Sequence, residues 1–125
     1  MALLYEADAK GQSPGHILAD VPVEPEPFVV TIVEGVEANG ARIDGLIADH
    51  AFDWTLDRMP VVDRTLLRMA TFELLALDDV PTAVVISEAV DLAKQYSTDE
   101  SGRFVNGVLA AIATELRPSS PVGEG

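Results

Sequence analysis

Residues 61–75 read VVDRTLLRMATFELL, and the spacing of the apolar positions in that run decides the fold class. Val62, Leu66, Met69, Ala70 and Leu74 recur at intervals of three and four, which places them on one face of an α-helix. Pro60 stands just ahead, where the first residue of a helix tolerates a missing N–H. Asp78-Asp79-Val80-Pro81 breaks the pattern. Arg64 and Arg68 share one helix face at i, i+4, opposite the stripe. Glu73 falls near the middle of the stripe, where a carboxylate needs a partner. The expected partner is an arginine such as Arg68 or Arg103, in a structural salt bridge rather than a functional acid.

The same period continues toward the C-terminus. Ile86, Ala89, Val90 and Ala93 mark a helix ending near Tyr96. Ala83-Val84-Val85-Ile86 reads as a strand in isolation, but the spacing from Glu88 to Lys94 is helical. Ser97-Thr98-Asp99-Glu100 fits a capping box, with Ser97 at the cap and Glu100 three residues on. A last helix then carries Phe104, Val108, Ile112 and Leu116. Gly102 and Gly107 are costly inside it, so one of them is expected to permit close approach of a neighbour or ligand. Pro118 ends it, and residues 118–125 read as a disordered tail.

Toward the N-terminus, Ile43, Leu46 and Ile47 mark a stripe running to about Phe52. Phe28, Ile32 and Val36, with Val29 and Val33 beside them, mark another, stopped by Asn39-Gly40. Residues 21–27, VPVEPEP, hold too many prolines for a helix or central strand and read as an extended connector. Residues 14–20 suggest a helical turn or two. Residues 1–11 read as a short helix, or the end of a longer one, closed by Gly11. No internal repeat and no hairpin dipeptide between alternating runs is present. The expectation is an all-α protein, a compact antiparallel helical bundle in one domain over residues 1–117.

Composition narrows the function classes. A chain of 125 residues with 48% hydrophobic residues can bury one sizeable core, and 6% aromatics means that aliphatic side chains and alanine fill most of it. The absence of cysteine excludes disulfides and thiolate metal sites and fits a reducing, cytoplasmic setting. No apolar run approaches the roughly 20 residues of a membrane span, and the opening residues carry no signal-peptide pattern. Eight Lys+Arg against 21 Asp+Glu give a net charge of −13, which repels a polyphosphate at long range. Any nucleic-acid site must therefore be local or shared with a basic partner.

Few constellations carry chemistry. His16 and His50 stand apart, with no spaced ligands around either. There is no Gly-rich phosphate loop and no nucleophile elbow, since Ser87-Glu88 and Ser101-Gly102 lack that context. No metal, cofactor or catalytic residue is expected. Acidic pairs are inevitable with 21 acids and read as a solvated face. Arg103 followed by Phe104 near the start of the last helix is the sharper signal, because an arginine and a ring at a helix N-terminus suit a phosphate and a stacked base. For Phe104 alone a core role is preferred, since it opens the stripe 104, 108, 112.

Four blocks in order, DRTLLRMATFEL at 63–74, DVP at 79–81, ISEAVDLAK at 86–94 and SGRFVNGVL at 101–109, resemble the NusB family, and the Phe104-Val-Asn-Gly107 block is specific. LYEAD at 4–8 looks like that family's first helix, and WTLDRMP at 54–60 like the lead-in of its actinobacterial-type members. The resemblance covers nearly the whole chain. It implies an all-α fold of two packed helical subdomains and a non-enzymatic role in transcription antitermination. The implied partners are ribosomal protein NusE, boxA RNA of ribosomal RNA leaders and the RNA polymerase antitermination complex, with homodimerisation an open possibility. Carried over by position, Tyr5, Arg103 and Phe104 are RNA-contacting candidates, and Asp63 and Glu100 are partner-binding candidates. The acidic surface suits a basic ribosomal protein.

One departure stands out: the family opens with an Arg-rich run before its first helix, and this sequence begins inside that helix. The favoured expectation is a start further upstream, the other being weakened RNA binding. A protein-only adaptor is the first alternative reading. The accessory domain of an rRNA cytosine methyltransferase and an unrelated helical enzyme find little support, the former because neither a catalytic domain nor a catalytic cysteine is present. An upstream extension is expected to raise the melting temperature or suppress self-association, by completing a packed helix; equal melting temperatures for both lengths would refute this.

Overall fold

A computed structural model describes residues 2–13, 15, 26–52 and 54–118. Among them lie six α-helices and no strand: α1 (Ala2–Lys10), α2 (Pro27–Ala38), α3 (Gly40–His50), α4 (Val61–Ala76), α5 (Thr82–Tyr96) and α6 (Asp99–Leu116), with a single 3₁₀ turn at Leu56–Arg58. The all-α expectation holds. The readings for residues 16–25 and 119–125 lie outside the described residues.

Helix α4 packs against all five other helices. Of the expected stripe, Leu66, Ala70 and Leu74 are buried, while Val62 and Met69 are only partly so. Leu67 and Phe72 are buried as well, along with Asp63, Thr65, Thr71 and Glu73. A helix enclosed on several sides cannot be read as one stripe. Flanking helices are simpler: Ile32, Val33 and Val36 of α2, Ile43, Leu46 and Ile47 of α3, Val85, Ala89 and Ala93 of α5, and Val105, Val108, Leu109, Ile112 and Ala113 of α6 complete the core.

Boundaries shift where prolines and tight turns act. Pro27 opens α2 instead of closing the connector, its fixed φ suiting the first helical turn. Pro60 caps α4 from outside, with the helix starting at Val61. Phe52 is not the end of the α3 stripe: the helix stops at His50, and Phe52 sits at φ +45° with 85% of its surface exposed. Gly11, at φ +68°, closes α1 as expected.

Arg64 and Arg68 do not face open water. Arg64 donates Nε and Nη2 to Asp8 at 2.5 and 2.8 Å, and Nη1 to the carbonyls of Leu56 and Met59 at 3.1 and 3.3 Å. Arg68 reaches Asp8 at 3.1 Å and forks onto Asp44 at 2.9 and 3.1 Å. The helix face opposite the stripe is thereby tied to α1, to α3 and to the segment before α4 through charge-assisted bonds. At the other end of α4, Arg117 donates to the carbonyls of Glu73, Leu74, Leu77 and Val80 and to Thr82 Oγ1, at 2.6–3.1 Å. Of these, the Leu74 carbonyl lies in the last turn, where a helix leaves its carbonyls without intrahelical partners, whereas the Glu73 and Leu77 carbonyls also accept from the Leu77 and Val80 N–H groups.

The expected Glu73 salt bridge is not formed. Arg68 is committed to Asp8 and Asp44, and Arg103 is exposed on α6. Burial, and then the charge of Glu88, push the Glu73 carboxyl from 4.5 up to about 7. Gly35 reveals a different constraint. A Cβ there would lie 2.1 Å from the Phe72 ring, so α2 and α4 approach by using its missing side chain.

Two outcomes follow for stability. Gly35→Ala should destabilise by about 1–3 kcal/mol through overpacking, whereas Gly45→Ala on exposed α3, where a Cβ meets nothing within 4 Å, should stabilise by roughly 0.5–1 kcal/mol; urea unfolding of both variants checks the contrast. Because the folded state raises the pKa of Glu73, its contribution to stability is full below 4.5 and is lost as pH rises to about 7. Glu73→Gln should flatten the pH dependence of the urea midpoint across that window and exceed the parent's midpoint at pH 8.

Candidate functional site

The N-terminal turn of α6 is built by local hydroxyl chemistry. Thr98, not Ser97, is the cap: its Oγ1 accepts from the Ser101 N–H at 2.9 Å. The sequence pattern misplaces the cap by one residue because Ser97 is drawn elsewhere, sharing a hydrogen bond with Ser101 Oγ at 2.9 Å. Ser101 Oγ in turn donates to Asp63 Oδ2 at 3.0 Å, which joins the first turn of α6 to the first turn of α4. Gly102 makes the next contact possible. A Cβ there would meet the Lys94 side chain at 2.7 Å, so the Lys94 stem lies across the glycine. Gly107 meets nothing within 4 Å, so Gly102 is the glycine that allows close approach.

An open groove of about 570 Å³ runs between this turn and the segment before α4. Four of the five sequence candidates line it: Asp63, Glu100, Arg103 and Phe104. Their accessibilities differ. Glu100 and Arg103 are exposed, and Phe104 is partly buried against the core, so its core role and its groove position coexist. Asp63 is only 3% exposed, and its Oδ1 has no hydrogen-bond partner. Burial raises its carboxyl above the usual range, while the Ser101 and Ser97 hydroxyls pull it back. Tyr5, the fifth candidate, lines a second groove of about 690 Å³ with Lys10, Val62 and Tyr96. Val62 and Tyr96 of this second groove are the chain neighbours of Asp63 and Ser97, which line the first.

Sequence reasoning passed over two groove residues. Trp54 meets Phe104 edge to face, with centroids 6.2 Å apart and planes at 62°. Tyr96 is 55% exposed at the end of α5. The signal for each was an aromatic residue at the edge of a helical run, outside the buried stripe. Among the described residues, no group of three His, Cys, Asp or Glu side chains is placed to hold a metal ion, and no helix is long and apolar enough to cross a membrane. His50 instead pairs with Glu115 at 2.8 Å.

Fold and grooves together define a small all-helical binding domain. A sequence profile of the NusB family matches residues 2–114. The chain is 53% identical to the transcription antitermination protein NusB of Saccharopolyspora erythraea, over 98% of this chain and 91% of that protein. It is 48% identical to the NusB of Kineococcus radiotolerans, over 90% and 86% respectively. Among solved structures, T. maritima NusB superposes with a TM-score of 0.82 at 37% identity, covering 91% of this chain and 84% of that one. A chain in a crystal structure of antitermination factors NusB and NusE in complex with dsRNA superposes with a TM-score of 0.76 at 29% identity, covering 90% of this chain and 89% of that one. The chain belongs to the NusB family.

Ser101→Ala would remove the hydroxyl that donates to the buried Asp63 carboxylate at Oδ2, leaving it only the weaker support of Ser97. The expected cost is about 1–3 kcal/mol, and it should grow with pH, because only the ionised carboxylate loses strongly from the missing hydroxyl. Thermal melts of parent and variant at pH 5 and pH 8 check both the loss and its direction.

Proposed function

We infer that this chain is a transcription antitermination factor. It binds boxA-type RNA of ribosomal RNA leaders together with ribosomal protein NusE, joins the RNA polymerase antitermination complex in the cytoplasm, and catalyses no reaction. The observation that carries this reading is the convergence of Arg103, Phe104 and Trp54 on one open groove, in a chain whose relatives are antitermination proteins. Rings stack on unpaired bases, and an exposed guanidinium reaches a phosphate.

Charge makes the binding a joint act. At −13 the chain repels RNA at a distance, and Asp99 and Glu100 occupy the first turn of α6. Arg64 and Arg68 are spent on Asp8 and Asp44. A basic partner such as NusE supplies the missing positive field and is itself drawn to the acidic surface. Glu100 is proposed to make such a contact, a reading supported by its exposure at the groove. Asp63 is proposed to act from below, by holding the turn that presents Glu100 and Arg103.

The same charge favours one second reading, an adaptor that binds protein alone. A titration of fluorescent boxA RNA with this chain, with and without NusE, separates the two. Salt-sensitive binding that strengthens with NusE supports the factor, and NusE binding without RNA binding supports the adaptor. Arg103→Ala should weaken RNA binding by about 1–3 kcal/mol and lower the salt slope by about 1, with NusE affinity unchanged.

A further inference from the structure

We propose that the pocket between α1, α2, α3 and α4 binds a small primary alkylammonium ion, with its head on the Thr65 hydroxyl and its alkyl chain against the apolar wall. The pocket shares no lining residue with the Arg103 groove or with the groove that holds Tyr5. Its occupant is independent of the RNA-binding reading above.

One hydroxyl in this pocket is left with nothing to bond. Thr65 is 1% exposed, its Oγ1 has no hydrogen-bond partner, and the residue lines a pocket of about 200 Å³. A buried polar group in that state carries a free-energy cost, which a ligand recovers by bonding to it. The space is well beyond what one water needs. Its surface is mainly apolar, with Leu4 and Ala7 of α1, Val36 of α2 and Ile43 of α3 in the wall. A short alkyl chain fits such a wall, and the hydroxyl sets where its polar end must go.

Charge selects a cation. Asp8, Glu37 and Asp44 line the pocket, with Arg68 as its one basic residue among those described. Arg68 forks onto Asp44 and reaches Asp8, which Arg64 also binds. Three carboxylates against these two guanidiniums leave one negative charge in excess. Glu37 carries it: exposed on α2, its carboxylate accepts from the Gly15 N–H, a donor without charge. An ammonium can only donate, and the Thr65 oxygen has free lone pairs to accept. An alcohol makes that bond without the attraction of Glu37, and an anion is repelled. Among the described residues no three carboxylates or imidazoles are placed around a metal ion, so these acids do not build a metal site.

Amide resonances of the full, isotope-labelled chain are followed by NMR as n-butylammonium, n-butanol or butyrate is added at constant ionic strength. Butylammonium should bind saturably, with shifts confined to residues around the pocket and a Kd of about 1–10 mM, as a ligand this small allows. Butanol should bind roughly 10-fold more weakly, and butyrate not at all. Thr65→Val keeps the side-chain volume and removes the acceptor, so it should weaken butylammonium binding roughly 10-fold. Thr65→Ser keeps the hydroxyl and should stay within about threefold of the parent. Glu37→Gln should weaken binding about 2- to 5-fold, an effect that fades at high salt. Equal binding of butanol and butylammonium would mean a neutral cavity and overturn the proposal. Unchanged butylammonium affinity in Thr65→Val would overturn it as well. So would shifts spread over the acidic surface without saturation, which mark counterion attraction only. No shift with butylammonium would mean that the pocket holds water alone, and the proposal falls.

Discussion

Nine of the sixteen residues of α4 are buried, and two of them are carboxylic acids. A helix can be hidden that fully only when neighbours close on it from several sides, and here all five other helices do so. The chain's remaining features answer the problems this creates. Arginines on the less buried side are fastened to Asp8 and Asp44, and Arg117 binds carbonyls at the end of the helix and in the turn beyond it. The hydroxyls of Thr65 and Thr71, within the body of the helix, are sealed in without a hydrogen-bond partner. Such groups oppose folding, and the apolar contacts around them must outweigh that cost.

The same enclosure builds the candidate site. Asp63 is buried because α6 begins directly over it, and Ser101 bonds to it because Thr98 caps the turn one residue later than the sequence pattern suggests. That short chain of hydroxyls fixes where Glu100, Arg103 and Phe104 project. A surface with few free cations thus concentrates one guanidinium and several rings around the start of a single helix. The rest of the surface stays acidic, which suits a partner of opposite charge.

Charge also separates the two roles an arginine can take. Arg64 and Arg68 are fork donors satisfied within the fold, Arg117 is a backbone cap, and Arg103 is exposed at the groove. Sequence position alone does not distinguish them. All lie on helices or at helix ends, and only the partners brought by other segments decide which is structural.

The sequence by itself determined that this protein is all helix, where its helices break, and which apolar positions on the outer helices face inward. Those properties are local: a 3.6-residue period, a proline and a glycine act through the residues beside them. The Arg103–Phe104 pair and the family blocks were legible for the same reason, being contiguous. Only the tertiary structure decided that Glu73 lies buried without its salt bridge, that Arg64 and Arg68 face inward, that Phe52 points out, and that Trp54 and Tyr96 join the grooves. Each of those depends on residues far apart in the chain, whose meeting is set by how helices pack around α4 and not by any pattern within a single helix.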